Sequence, residues 1–87
     1  MARVVLTRSA RRVLTNLDYL LAEVVLDSIG ELERDPQAGH VLKGRLDGLR
    51  SLRVGVYRII YELREDDAQV RVVAIRHRAE AYRSDPR

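Results

Sequence analysis

Arg53 and Arg58 are the residues whose types and spacing most directly suggest chemistry. They flank a Gly55-Val56 pair inside the stretch VLKGRLDGLRSLRVGVYRIIY, Val41 to Tyr61. Glycine at the first position of a two-residue connection suits a type II′ turn. Leu49–Val54 and Tyr57–Arg64 are therefore expected to pair as an antiparallel hairpin. If Val54 pairs with Tyr57, Arg53 stands directly opposite Arg58, with Ser51 at the margin of the same face. Like charges opposite one another on a sheet cost stability. An anionic ligand would offset that cost, and guanidinium groups fit phosphate in two-point contacts. The plain alternative is a pair of solvated strand arginines held by Glu62 or by the C-terminal tail.

Other groups could join them. His77 follows Ile75 by two, so unbroken alternation puts it on the Arg53/Arg58 face, where an imidazole can move protons near neutral pH. Lys43 and Arg45 lie in a glycine-flanked loop suited to RNA backbone contacts. Arg50 and Ser51 are further candidates for RNA contact, although Arg50 points to the opposite face unless a bulge intervenes. Tyr57 and Tyr61 read as core-face aromatics, and His40 as an ordinary loop residue. No His/Asp/Glu cluster has metal-ligand spacing, and no glycine-rich phosphate cradle follows a strand and opens a helix. No metal or other cofactor is expected. The chain has no cysteine, which excludes disulfides and thiolate metal sites.

The elements that must position these residues follow from periodicity. Arg3–Thr7, RVVLT, reads as a strand. Ser9 or Thr7 caps a helix from Ala10 to about Leu17. A second helix runs from Asp18 or Tyr19 to Arg34, with Leu17, Leu20, Leu21, Val24, Val25, Ile29 and Leu32 on one apolar face. Asp35-Pro36 ends it, because a residue before proline disfavours the α region. Gln37–Gly48 reads as an irregular loop. A third strand of the hairpin region, Gln69–Arg76, follows the acidic turn Glu65-Asp66-Asp67-Ala68. With a symmetric turn, Val70, Val72 and Ala74 join Leu52, Val54, Tyr57, Ile59, Tyr61 and Leu63 on the core face. Arg71, Val73 and Ile75 then join Ser51, Arg53, Arg58, Ile60, Glu62 and Arg64 on the other. A short helix is expected over Ala79–Tyr82. The fold class is α+β: one domain over residues 1–87, with two N-terminal helices on a small, mainly antiparallel twisted sheet.

Eighty-seven residues carry 16 Lys plus Arg against 13 Asp plus Glu, a net charge of +3. Every cation except Lys43 is arginine. No apolar run reaches the roughly 20 residues of a membrane span, and the N-terminus lacks a signal-peptide core. A cytoplasmic protein without a membrane partner is the expectation.

In four segments the chain resembles the RelE branch of the RelE/ParE toxin superfamily. VVLTRSARRVLTNL resembles the family's opening strand and first helix. LERDPQAGHVLKGRLDG resembles its helix end, Asp-Pro stop and leucine-lysine-glycine loop. LRVGVYRIIYEL resembles its strand pair, and VRVVAIRHRAEAYR its last strand and closing tyrosine. The resemblance implies a ribosome-dependent messenger-RNA endoribonuclease, held in a hetero-oligomer by a small antitoxin that wraps it. It implies that Arg53 and Arg58 contact the scissile phosphate, that Arg78 is a further basic position, and that Tyr82 stacks on a base or handles a proton. One departure stands out: the family commonly has a basic residue where this chain has Ser51. Three functions are open on these grounds. They are the ribonuclease, a RelE-like or ParE-like binding module with little cleavage or with DNA gyrase as target, and an unrelated interaction domain.

Overall fold

A computed structural model describes all 87 residues, Met1–Arg87. The chain opens with β1 (Arg3–Leu6), and Thr7 then caps α1 (Arg8–Asn16) by accepting a hydrogen bond from the Ala10 amide at 3.2 Å. Of the two expected caps, Thr7 is therefore used and Ser9 lies inside the helix. α2 (Tyr19–Arg34) stops at Asp35-Pro36, as the proline rule requires. The segment expected to be wholly irregular holds a two-residue strand, β2 (His40–Val41), and a 3-10 turn at Gly44–Leu46. β3 (Arg50–Val54), β4 (Tyr57–Arg64) and β5 (Gln69–His77) complete the chain's regular structure.

The five strands form one sheet in the order β1-β5-β4-β3-β2. β1 runs parallel to β5, and every other pairing is antiparallel. The fold class is thus α+β, as expected, except at the C-terminus. Ala79–Tyr82 form successive turns and no helix. Their backbone bonds run i to i+3, from Glu80 to His77 and from Ala81 to Arg78. The nearby carbonyls of Ala81, Tyr82, Arg83 and Ser84 are taken by arginine side chains from elsewhere.

One face of the sheet packs on the helices. Val25, Ile29 and Leu32 of α2 meet Val54, Ile59, Tyr61, Val70, Val72 and Ile75, all buried. Val24 and Leu20, expected on that core face, remain 51% and 68% exposed. The apolar stripe of α2 is wider than the sheet can cover. The opposite sheet face carries a smaller cluster of Leu46, Leu49, Ile60, Val73, Ala74 and Ala81. The loop after β2 and the C-terminal turns supply its lid.

Tyr61 ties the hairpin to the helix end. Its buried hydroxyl donates to the Pro36 carbonyl at 2.8 Å and accepts from the Gly39 amide at 2.9 Å. Gly39 must be glycine here, because a Cβ would lie 2.8 Å from both the Ser51 carbonyl oxygen and the Tyr61 hydroxyl. Arg50 reinforces the same corner by donating to the Gln37 and Gly39 carbonyls.

A bulge in β5 changes the expected register. Tyr61 pairs with Val72 but Ile60 pairs with Ala74, which leaves Val73 as the extra residue. A bulge of this kind sets two residues against one and reverses the alternation beyond it. Ile75 therefore joins the helix-side core, and Ala74 joins the opposite cluster. Both had been expected on the other face. The extra carbonyl does not go unpaired, since the Thr7 hydroxyl donates to Val73 O at 3.3 Å.

Candidate functional site

The hairpin forms with the expected register. Val54 pairs with Tyr57 and Arg53 with Arg58 across the Gly55-Val56 turn. Gly55 has φ 59, in keeping with glycine at the first position of a type II′ turn. The bulge then adds a residue that sequence alternation had missed. Arg58 pairs on its other side with Arg76. Arg53, Arg58 and Arg76 thus form a transverse row over three adjacent strands, with side chains on the face away from the helices.

The same bulge removes His77 from that face. His77 pairs with Tyr57 and packs edge-on against its ring, with centroids 5.7 Å apart. Its Nδ1 accepts a hydrogen bond from the Ala79 amide at 3.2 Å. The histidine that does share a face with Ser51 is His40, its direct partner across β2 and β3.

The row has little internal charge compensation. Glu62 pairs with Arg71 at 3.2 Å and with Arg64 at 3.5 Å, so it does not hold Arg53 or Arg58. Neither of those two makes an ion pair. The C-terminal tail engages Arg76 alone: its Nη1 donates to Ser84 O at 2.8 Å and to Ala81 O at 3.3 Å. A shallow cleft of about 300 Å³ opens there, lined by Arg76, Glu80, Arg83 and Ser84.

Ser51 lies one same-face position along β3 from Arg53, opposite Ile60. It is only 1% exposed, and its Oγ lies 3.0 Å from the Tyr82 hydroxyl. Tyr82 is 40% exposed, so its ring reaches solvent above this contact. The expected site residues Arg53, Arg58, Ser51 and Tyr82 are therefore gathered on one face. Arg78 is exposed, and its amide donates to Val56 O at 2.7 Å, which sets its backbone against the hairpin turn.

Of the four residues expected to contact RNA, Ser51 is buried and the other three separate here. Lys43 is exposed on the loop before the 3-10 turn. Arg45 donates to the carbonyls of Tyr82 and Arg83, each at 3.1 Å, and so braces the tail. Arg50 pairs with Tyr61 and belongs to the helix side of the sheet, away from the row. At the far end of the tail, Arg87 donates to Asp47 O at 2.8 Å and grips Asp85. Those hydrogen bonds lower the Asp85 pKa and raise that of Arg87. Tyr61 is pushed up from 10.0 chiefly by burial.

The family model described as "ParE toxin of type II toxin-antitoxin system, parDE" matches residues 4–82. The chain belongs to the RelE/ParE family of type II toxin–antitoxin toxins. It is 38% identical over 79 residues to toxin RelG of Mycobacterium tuberculosis, covering 88% of this chain and 91% of that one. It is 32% identical to toxin RelE of the same organism, covering 95% and 88% respectively. Among solved structures, it matches a chain of the M. tuberculosis RelBE2 toxin–antitoxin complex with TM-score 0.80 and 32% identity, over 88% of this chain and 98% of that one. A chain of the Pyrococcus horikoshii RelE–RelB complex matches in fold, with TM-score 0.74 at 24% identity over 92% and 98%. For a toxin of this family, the arginine row and Tyr82 are the groups on one face with chemistry to offer. They offer guanidinium cations, which suit an anion, and a phenol. No group of three or more His, Cys, Asp or Glu residues is placed to hold a metal ion. No helix is long and apolar enough to cross a membrane.

Proposed function

We propose that this toxin is a ribosome-dependent messenger-RNA endoribonuclease and that the Arg53–Arg58–Arg76 row binds the scissile phosphate. The single observation that carries the reading is the row itself. Three arginines stand in register on adjacent strands, and neither Arg53 nor Arg58 has an acidic partner. Such an arrangement opposes folding unless an anion occupies it.

The reaction needs no group beyond the RNA and the protein. The ribose 2′-oxygen attacks the adjacent phosphorus and loses its proton to a base. The bond to the 5′-oxygen breaks, and that oxygen takes up a proton, leaving a 2′,3′-cyclic phosphate. Charge builds on the non-bridging phosphate oxygens, where fixed arginines stabilise it most. Arginine stays protonated near neutral pH and cannot be the base. Tyr82 is the proton-handling group that the site offers beside the row. Arg78, exposed next to the hairpin turn, extends the basic surface toward flanking phosphates. His77 is not assigned a proton-transfer role, because it packs on the far face against Tyr57.

An antitoxin is the expected protein partner, and a toxin–antitoxin hetero-oligomer the resting form. The free toxin leaves Arg53 exposed, Arg58 and Arg76 half-buried, and the apolar residues Tyr19, Leu20 and Val24 of α2 exposed. A catalytically weak binding module is the second reading. It is favoured by Ser51, which supplies no charge where the family commonly has a basic residue. The RelE-type relatives weigh against DNA gyrase as target.

Primer extension on a reporter mRNA in a cell-free translation system, with and without ribosomes, tests the proposal. New cuts that require ribosomes and disappear with Arg58→Ala are expected. No cuts by folded, antitoxin-free toxin would transfer the assignment to the binding module.

A further inference from the structure

We propose that Ser51 is a positioning residue: its hydroxyl seats the Tyr82 phenol beside the arginine row. The inference rests on the ribonuclease reading. Ser51 is not placed to meet RNA itself, because it is 1% exposed. The hydrogen bond of its hydroxyl goes to Tyr82, at 3.0 Å. Ser51 and Arg53 are two residues apart on one strand face, so the phenol's anchor lies roughly 7 Å along β3 from Arg53.

Tyr82 needs such an anchor because its own segment provides little. Residues 79–84 form no helix, and two of their backbone bonds are long, at 3.5 Å for Ala81 to Arg78 and 3.3 Å for Arg83 to Glu80. Terminal segments with so few bonds fray unless tied down. Side-chain contacts tie this one instead: Arg76 donates to the Ala81 and Ser84 carbonyls, and His77 Nδ1 accepts from the Ala79 amide. Ala81, 1% exposed, packs into the cluster under the tail. Arg45 holds the Tyr82 and Arg83 carbonyls. Ser51 alone holds the functional end of the ring. A long cationic side chain at position 51 could not fit beneath Tyr82 at this burial without lifting it. This chain therefore gives up a cation on β3 and gains a seated phenol in return.

The test is a mutant cycle read as single-turnover cleavage of ribosome-bound mRNA, with a spectroscopic arm. Misplacing a catalytic group by about 1 Å can cost on the order of 10²-fold. Ser51→Ala is expected to lower the rate roughly tenfold or more on that basis. Ser51→Thr, which keeps the hydroxyl, is expected to restore it. In a Tyr82→Phe background Ser51→Ala should cause no further loss. Equal losses in both backgrounds, or a wild-type rate for folded Ser51→Ala, would overturn the proposal. The second arm follows the 13Cζ resonance of Tyr82, assigned by its absence in Tyr82→Phe. It should shift in Ser51→Ala and return in Ser51→Thr. If the wild type makes no cuts, the ribonuclease reading fails, and this arm judges the contact separately. A resonance unmoved by Ser51→Ala overturns the seating, whereas a shift reversed by Ser51→Thr upholds it.

Discussion

Arg58 has an arginine on each side, Arg53 across one ladder and Arg76 across the other. The three differ in what else they do. Arg53 and Arg58 make no ion pair, whereas Arg76 also clamps the tail through Ala81 and Ser84. Arg76→Ala should therefore show two effects. Cleavage should fall on the order of 10²-fold, the usual loss for one charge-stabilising donor. The C-terminus should also become more sensitive to limited proteolysis, an effect that Arg53→Ala should not share. Tyr61 is the corresponding structural residue on the far face. Tyr61→Phe leaves the Pro36 carbonyl and the Gly39 amide without their buried partner. A loss of about 1–3 kcal/mol is expected from urea denaturation, with cleavage chemistry unchanged.

At the scale of elements, the hairpin was legible because Gly55-Val56 marks the turn and polar residues mark the alternation of β3 and β4. The row's third member was not. Val72, Val73, Ala74 and Ile75 are all apolar, so nothing in their order marks the residue that steps out of register. Without that step, His77 falls on the Arg53/Arg58 face and Arg76 on the opposite one. The missing C-terminal helix has a similar origin. Ala79–Tyr82 is too short to nucleate a helix cheaply, and arginine side chains bind its last two carbonyls, Arg76 from β5 and Arg45 from the 3-10 turn. Arg45 could be read from the sequence as a loop cation but not as a brace, since its partners lie 37 and 38 residues away. Thr7 links α1 to the bulge, because it caps the helix and binds the bulge carbonyl. Thr7→Ala should cost about 1–2 kcal/mol in thermal or chemical unfolding, near the upper range for a lost cap. Ser9→Ala, inside the helix, should cost much less.

The whole molecule is basic, with a net charge of +3, and keeps uncompensated charge on one face and apolar surface on α2. Its alkaline limit should report the Tyr61 corner. Burial raises the folded-state pKa of Tyr61 above 10.0. Its contribution to stability is then fully present below the unfolded pKa. Above it the unfolded chain loses the proton first, so stability falls as pH rises through the folded pKa. Denaturation midpoints measured from pH 9 upward should decline in the wild type, and that Tyr61 component should vanish in Tyr61→Phe.

The claim on which the functional account turns is that the row binds the phosphate and that ordinary strand arginines do not. Arg71 provides the control, being on the same sheet but paired with Glu62 at 3.2 Å. The measurement is the cleavage rate on ribosome-bound mRNA for Arg53→Ala, Arg58→Ala, Arg76→Ala and Arg71→Ala, each confirmed folded. The account predicts losses on the order of 10²-fold for the first three and a rate close to wild type for Arg71→Ala. Equal effects at all four positions, or wild-type rates from the three row variants, would contradict it.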